Sequence, residues 1–285
     1  MKTTLFRNAM LATVAATSLW SCQQQDLPAE PKAVAQSDAQ QGAYRLKTYK
    51  LEKGIGTDYP ITYNTAFTYS PDGKLASKDA STFYPTTGNT YNDHLDYDYS
   101  QSGQVVERNP ASTVPGAVVK YVLGTGTTSN RATQIVFEQP GFVFTNTYSY
   151  NAAGQITREQ INDFSTRTNI FSYDANGNRI LSPNFYNSRI SATYDLGKLN
   201  RRPVPDVLNL FVDKGTESRN LVTKIVEETD PAKDRTNRYR TNTTYTYEFN
   251  SAGYVTKKTE TEVFLDKGVV SSTKKNVYTY TYEAL

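Results

Sequence analysis

Cysteine, histidine and tryptophan each occur once in the 285 residues, and methionine only twice. A single cysteine excludes an internal disulfide, and a single histidine excludes a His-rich metal site. Charge of one sign is missing as well: 31 basic residues stand against 28 acidic ones, a formal net charge of +3. That balance argues against nucleic acid or a strongly charged membrane surface as partner. Leucine is outnumbered by tyrosine, which argues against a helical bundle. What is abundant is aromatic: 22 Tyr and 12 Phe, beside many threonines. Such large buriable side chains argue against wholesale disorder, and a Tyr- and Thr-rich composition favours strands. The length allows one or two domains.

Long hydrophobic runs are also absent, apart from a short uncharged stretch from Ala9 to Leu19 behind Lys2 and Arg7. It is shorter than the ~20 residues of a membrane-spanning helix and fits the apolar core of a signal peptide. It ends Leu19-Trp20-Ser21-Cys22, which resembles the lipobox of bacterial lipoproteins, with Trp20 departing from the usual small residue. The resemblance implies that residues 1–21 are removed and that Cys22 carries lipid, making the membrane a partner through an N-terminal anchor. Residues 22–43 are rich in Gln, Ala and Pro with no aromatic residue, as expected of a flexible tether. Gln23 stands where an inner-membrane retention Asp would follow the cysteine, so the outer membrane is the expected address, on its surface or periplasmic face.

From Tyr44 onward a local pattern recurs. It reads Phe67-Thr-Tyr69-Ser-Pro-Asp-Gly73, Tyr97-Asp-Tyr99-Ser-Gln-Ser-Gly103, Tyr148-Ser-Tyr150-Asn-Ala-Ala-Gly154, Phe171-Ser-Tyr173-Asp-Ala-Asn-Gly177 and Tyr247-Glu-Phe249-Asn-Ser-Ala-Gly253. Aromatic residues two apart share one face of a strand. The following Ser, Asp or Asn, two turn residues and Gly are type I turn chemistry, with Gly supplying positive φ for a bulge. An apolar residue resumes the alternation at Leu75, Val105, Ile156 and Val255, but only at Ile180, one place late, in the fourth copy. Each copy is therefore a β-hairpin. Tyr278-Thr-Tyr280-Thr-Tyr282 opens a sixth strand with no return.

Further extended segments are expected at Tyr44 to Leu51, Ala117 to Leu123, Gln134 to Glu138, Tyr186 to Leu196, Asn220 to Glu227 and Val263 to Thr273. The expected fold class is all-β: one domain over 44–285, an antiparallel meander of about 14–16 strands that curls or partly closes like a barrel. The stretch from Pro205 to Val212 allows at most one short helix near 205–213. One sheet face is aromatic and packed, the other Thr-rich and wet.

These Tyr-x-Tyr-Asp/Asn-x-x-Gly hairpins resemble the YD repeats of the Rhs and teneurin shells. Over most of residues 44–285 the chain is similar to lipoproteins of the Bacteroidetes that carry a porin-like domain of unknown function. It shares with them the lipobox, the Gln-rich tether, the aromatic hairpins and a Pro- and Leu-containing insertion before Ser218-Arg-Asn220-Leu-Val222-Thr-Lys224. The resemblance implies a fold and a compartment but no activity.

Chemistry-bearing clusters are few. His94, Asp96 and Asp98 alternate along one strand face and could approach a divalent ion, yet Leu95, Tyr97 and Tyr99 on the other face make them an ordinary wet face. Asp174-Ala-Asn176-Gly177-Asn178 lacks the length and closing Glu of a calcium loop, and a hairpin turn accounts for it. Gly54-Ile-Gly56 and Gly124-Thr-Gly126 precede no helix and are loops rather than phosphate cradles. Arg201-Arg202, Lys257-Lys258 and Lys274-Lys275 read as solvated pairs. No nucleophile–base arrangement stands in motif context, and no cofactor is called for. The reading is a non-enzymatic, lipid-anchored binding or structural module whose partner is a glycan, a peptide or an envelope protein, with its oligomeric state open. The alternatives are an envelope enzyme acting on glycans or peptides, and a transmembrane β-barrel.

Overall fold

The computed structural model describes residues 44–126, 131–181, 188–200, 218–230 and 238–284. The leader, Cys22, the tether and the expected helix near 205–213 lie outside these residues. Among the described residues seventeen strands follow one another. The first half is β1 (Tyr44–Ile55), β2 (Ile61–Tyr69), β3 (Leu75–Tyr84), β4 (Asn89–Asp98), β5 (Gln104–Arg108), β6 (Val118–Leu123), β7 (Ala132–Gln139) and β8 (Phe142–Tyr150). Then come β9 (Ile156–Asn162), β10 (Thr166–Ile170), β11 (Ser172–Tyr173), β12 (Arg179–Ile180) and β13 (Ser188–Leu199). The last are β14 (Asn220–Thr229), β15 (Tyr239–Phe249), β16 (Val255–Asp266) and β17 (Val269–Ala284).

Fifteen strands form a single antiparallel sheet, in the order β10-β9-β8-β7-β6-β5-β4-β3-β2-β1-β17-β16-β15-β14-β13. Every neighbour is consecutive in sequence except β1 and β17, where Tyr44 lies opposite Ala284 and Tyr49 opposite Tyr280. The sixth aromatic strand thus has a return after all, supplied by the start of the domain. Val263 to Thr273 is not one extended segment: Lys267 (φ 50°) and Gly268 (φ 84°) turn the chain between β16 and β17. Two residues with positive φ match the twist of a tight hairpin.

The pairing registers place Gly73, Gly103, Gly154, Gly177 and Gly253 at one end of the sheet, all with φ between 76° and 83°. Four of these turns share one bonding scheme. The glycine N–H donates to the first turn residue's carbonyl, and that residue's N–H donates four places on. Examples are Gly154 to Asn151 (2.9 Å) with Asn151 to Gln155 (2.9 Å), and Gly253 to Asn250 with Asn250 to Tyr254, both 3.0 Å. The Gly103 turn is held differently, by Ser100 N–H on Asp98 (2.9 Å) and Leu123 N–H on the Gly103 carbonyl (2.8 Å).

Burial concentrates at the same end. Leu75, Val105, Ile156 and Val255, each two residues past its turn glycine, are sealed from solvent. They belong to three apolar clusters that share Phe67 and Tyr121, so one belt of core runs along this end of the sheet. Tyrosine hydroxyls stitch the belt to the backbone. Tyr69 donates to the Leu46 carbonyl (2.6 Å), Tyr173 to Ile156 (2.9 Å) and Tyr247 to Val222 (2.8 Å), and Tyr150 and Tyr282 reach Ala132 and Val255. Burial raises the Tyr150 phenol and pushes Tyr173 up to about 12, so both stay neutral donors at physiological pH.

The fourth copy of the pattern leaves the sheet. Where the other hairpins resume with an apolar residue it has Asn178-Arg179, and it forms only the two-stranded β11–β12 hairpin. Its contacts run both ways. On the β9 side, Phe171 N–H donates to Thr157 (2.9 Å) and the Gln155 amide donates to the Gly177 carbonyl (2.8 Å). On the β14 side, Arg219 N–H donates to that same carbonyl (3.0 Å) and Asn220 N–H to Asn178 Oδ1 (2.9 Å). Arg179 N–H donates to Ser218, and Tyr194 to the Arg179 carbonyl. In a flat sheet, β9 and β14 would stand roughly 55–60 Å apart at 4.8 Å per strand. One small hairpin touches both, so the sheet curls round and the hairpin bridges its ends. The ladder itself stays open, because β10 and β13 are its two edges.

A test of the turns follows from their surroundings. A Cβ at Gly73 would meet no atom within 4 Å, whereas at Gly154 it would strike the Arg131 guanidinium, which lies 5.6 Å from the Tyr150 ring. Gly73→Ala should cost only the positive-φ strain, about 1 kcal/mol. Gly154→Val should cost about 2 kcal/mol or more, because Arg131 must also move. Thermal denaturation of the two variants checks the order.

Candidate functional site

Strand alternation gives the sheet two unlike faces. On β15, Thr243, Tyr245, Tyr247 and Phe249 lie on the packed side, while Thr244, Thr246 and Glu248 are exposed on the other. The packed side is not uniformly apolar. Lys258 Nζ sits 3.7 Å from the Tyr278 ring centre, and Glu260 accepts from Asn276 (2.8 Å). Asn276 in turn takes the Gly54 N–H (2.9 Å). Burial, and then the Glu260 charge, raise the Tyr278 phenol. Lys257 and Lys258, expected as a solvated pair, therefore part company: Lys257 meets Glu248 at 2.7 Å on the exposed face and Lys258 packs on aromatic rings.

The exposed face carries the candidate site, an open groove of about 770 Å³ crossing β17, β1, β2, β3 and β4. It is lined by the small side chains of Ala66 and Ser81, by Thr48, Lys50, Asn64, Asp79, Asn92 and His94, and by Ala111 from the β5–β6 connection. These residues meet because the register sets Lys50 opposite Asn64, Asn64 opposite Ser81 and Asp79 opposite His94. The Asn64 amide donates to Ser81 Oγ (3.4 Å). Lys50 is drawn towards Glu52 (3.1 Å).

His94 is the titratable centre of the groove. Its Nδ1 lies 2.6 Å from Asp79 and its Nε2 3.1 Å from Asp96. Hydrogen bonds to Asp79, and then to Asp96, raise its pKa above the ordinary histidine value. In the protonated form, which the two carboxylates favour, each ring nitrogen donates to a carboxylate. The sequence grouping of His94, Asp96 and Asp98 is thus split. Asp98 turns to Ser100 N–H and lies 4.0 Å from Arg108, while Asp79, two strand ends away in sequence, takes its place. Among the described residues no group of three or more His, Cys, Asp or Glu side chains is arranged to hold a metal ion. Asp174 spends its carboxylate on the N–H groups of Asn176 (2.9 Å) and Asn178 (2.8 Å) inside its own turn. The Gly54 N–H donates to Asn276 Oδ1 and the Gly124 N–H to the Arg131 carbonyl, so both serve the sheet. Sequence reading missed Asp79, Asn64 and Ser81, which only the β2–β3–β4 register brings to His94. The Thr86-Thr87-Gly88 turn was the available signal for that register.

The histidine clamp gives a pH prediction. Because the folded pKa lies above the unfolded one, the stability contributed by His94 is fully present below about pH 6.5. It is lost as pH rises through the folded value. The melting-temperature gap between the wild-type chain and His94→Gln should therefore narrow from pH 6 to pH 9. Asp79→Asn should lower the His94 midpoint seen by proton NMR.

No protein-family model matches the chain, and no curated protein matches it. Among solved structures, a porin-like protein from Bacteroides uniformis is similar over 84% of this chain and 96% of its own. The TM-score is 0.54 at 16% identity. A porin-like protein from Bacteroides vulgatus aligns over 84% of this chain and 100% of its own, at 11% identity and a TM-score of 0.21. The first similarity shows a shared fold, and at that identity the fold alone.

Proposed function

We propose that the chain is a lipid-anchored protein of the bacterial outer membrane, a non-enzymatic module that binds a polar ligand in the groove on its exposed face. The observation that carries this reading is that neither face of the sheet offers a surface for lipid tails. A transmembrane barrel needs an apolar band along its outward strand positions. Here one face reads Arg240, Asn242, Thr244, Thr246 and Glu248 along β15, and Asn92, His94, Asp96 and Asp98 along β4. The other interleaves its tyrosines with Lys258, Glu260 and Glu262. Such a sheet belongs in water, and attachment then falls to lipid on Cys22. No helix among the described residues is long and apolar enough to cross a membrane.

The groove supports binding rather than catalysis. Its amides, hydroxyls and the His94–Asp79 pair can donate to and accept from a glycan or a peptide backbone. Both ring nitrogens of His94 are engaged by carboxylates, so neither faces a ligand in the groove as a free base. The fold shared with a porin-like Bacteroides protein is compatible with an envelope address.

The test is fractionation. Cys22→Ser should let an alkaline carbonate wash, which strips peripherally bound proteins, release the protein from membranes, and a 44–285 chain should stay in solution without detergent. A Cys22→Ser protein that resists the wash, or a 44–285 chain that needs detergent, would count for a membrane-spanning sheet.

A further inference from the structure

The two ends of the sheet are built from different residues. At the end carrying the five glycine turns, the connections are polar: Ser70-Pro71-Asp72, Asn151-Ala152-Ala153 and Asn250-Ser251-Ala252. At the opposite end, successive connections raise large apolar side chains into solvent. Tyr59 is 78% exposed between β1 and β2, and Phe164 is 88% exposed between β9 and β10. Tyr91, Phe142 and Val269 are exposed at the β3–β4, β7–β8 and β16–β17 connections. The rings are held in place rather than loose. Tyr84 meets Tyr91 edge-on at 5.7 Å, and Phe144 lies 6.3 Å from Phe142 and 5.2 Å from Phe164. Exposed apolar groups that recur along one rim, several of them packed ring on ring, mark an interaction surface.

We propose that this rim docks on a lipid bilayer, its aromatic tips seated at the boundary of headgroups and acyl chains. The shape of the surface selects that partner. The apolar groups are spread over five separate connections along one end of a curled fifteen-stranded sheet, not gathered into one compact protein-sized patch. Only a broad surface that is indifferent to sequence meets all of them at once. Phenylalanine and tyrosine beside polar turn residues suit the membrane–water interface. The chain outside the described residues also permits it. Tyr44 starts at the glycine end, and the run from Cys22 to Tyr44 spans at most about 75–80 Å fully extended. The twelve residues of β1 are about 40 Å long. An anchor on Cys22 can therefore lay the far rim on the same membrane, and tethering raises the local concentration enough for weak tips to hold. Only this last point rests on the lipid-anchor reading.

The experiment uses a chain that begins at residue 22, carries Cys22→Ser and keeps every described residue. It is sedimented with vesicles of phosphatidylethanolamine and phosphatidylglycerol. Lipidation plays no part in this assay, so its failure is distinct from a failure of the anchor reading. The chain should co-sediment, and Tyr59→Ser, Phe142→Ser and Phe164→Ser together should lower the partition coefficient about tenfold. Ile170→Ser with Leu196→Ser removes exposed apolar groups at the other end and should leave it unchanged. Circular dichroism melts confirm that both variants fold, and Phe164→Ser alone serves if the triple variant does not. Absence of vesicle binding, or equal loss in both variants, would overturn the proposal. Self-association that the rim variant abolishes, without vesicle binding, would also overturn it and make a second copy the occupant.

Discussion

A sheet has two edges, and the edges of this one are brought round to each other by the β11–β12 hairpin. The Gly177 carbonyl is the pivot. It accepts the Gln155 amide at 2.8 Å from the β8–β9 turn and the Arg219 N–H at 3.0 Å from the start of β14. Asn178, almost wholly buried, adds the Asn220 N–H. Asn220 in turn spends its side-chain amide on the carbonyls of Leu196 and Lys198, across the irregular end of β13. A chain of hydrogen bonds built on the buried Asn178 and Asn220 thus fixes the curvature, where apolar packing alone would be non-directional. The long, twisted meander would otherwise expose both edges as templates for pairing with other chains.

The rest of the architecture follows from that closure at one end. The turn glycines, the sealed residues that follow them and the tyrosine hydroxyls on strand carbonyls all lie there. The other end carries the open rim with its exposed aromatic groups, and the exposed face between them carries the groove. The buried belt and the exposed groups are therefore separated along the strands. The core belt holds the register, and the register assembles Lys50, Asn64, Asp79, Ser81 and His94 from four strands without a loop to place them.

Much of this was legible in the residues and some was not, for physical reasons. Turn chemistry is local, so Asn151-Ala-Ala-Gly154 and Asn250-Ser-Ala-Gly253 announce hairpins by themselves, and alternation at Tyr245, Tyr247 and Phe249 announces the packed face. The fourth copy announced its difference too, with Asn178-Arg179 where its siblings resume an apolar strand. Its task as a bridge was hidden, because its partners Arg219 and Asn220 lie more than forty residues on, beyond any local rule. The β1–β17 pairing was hidden for the same reason. Lys267-Gly268 was overlooked because a lysine at positive φ is unusual outside a tight turn. The groove depended on cross-strand register, which decides whether His94 faces Asp79 or its neighbour.

The central claim, that the β11–β12 hairpin bridges the ends of the sheet, is most directly tested by amide hydrogen exchange at Arg219 and Asn220. Both N–H groups donate only to the hairpin in the bonding described above. In the wild-type chain they should be protected. In Asn178→Ala, the Asn220 N–H should exchange far faster and Arg219 should follow as the hairpin loosens, while Tyr49 and Tyr280 in the β1–β17 ladder stay protected. Unchanged exchange at Arg219 and Asn220 in that variant would contradict the account.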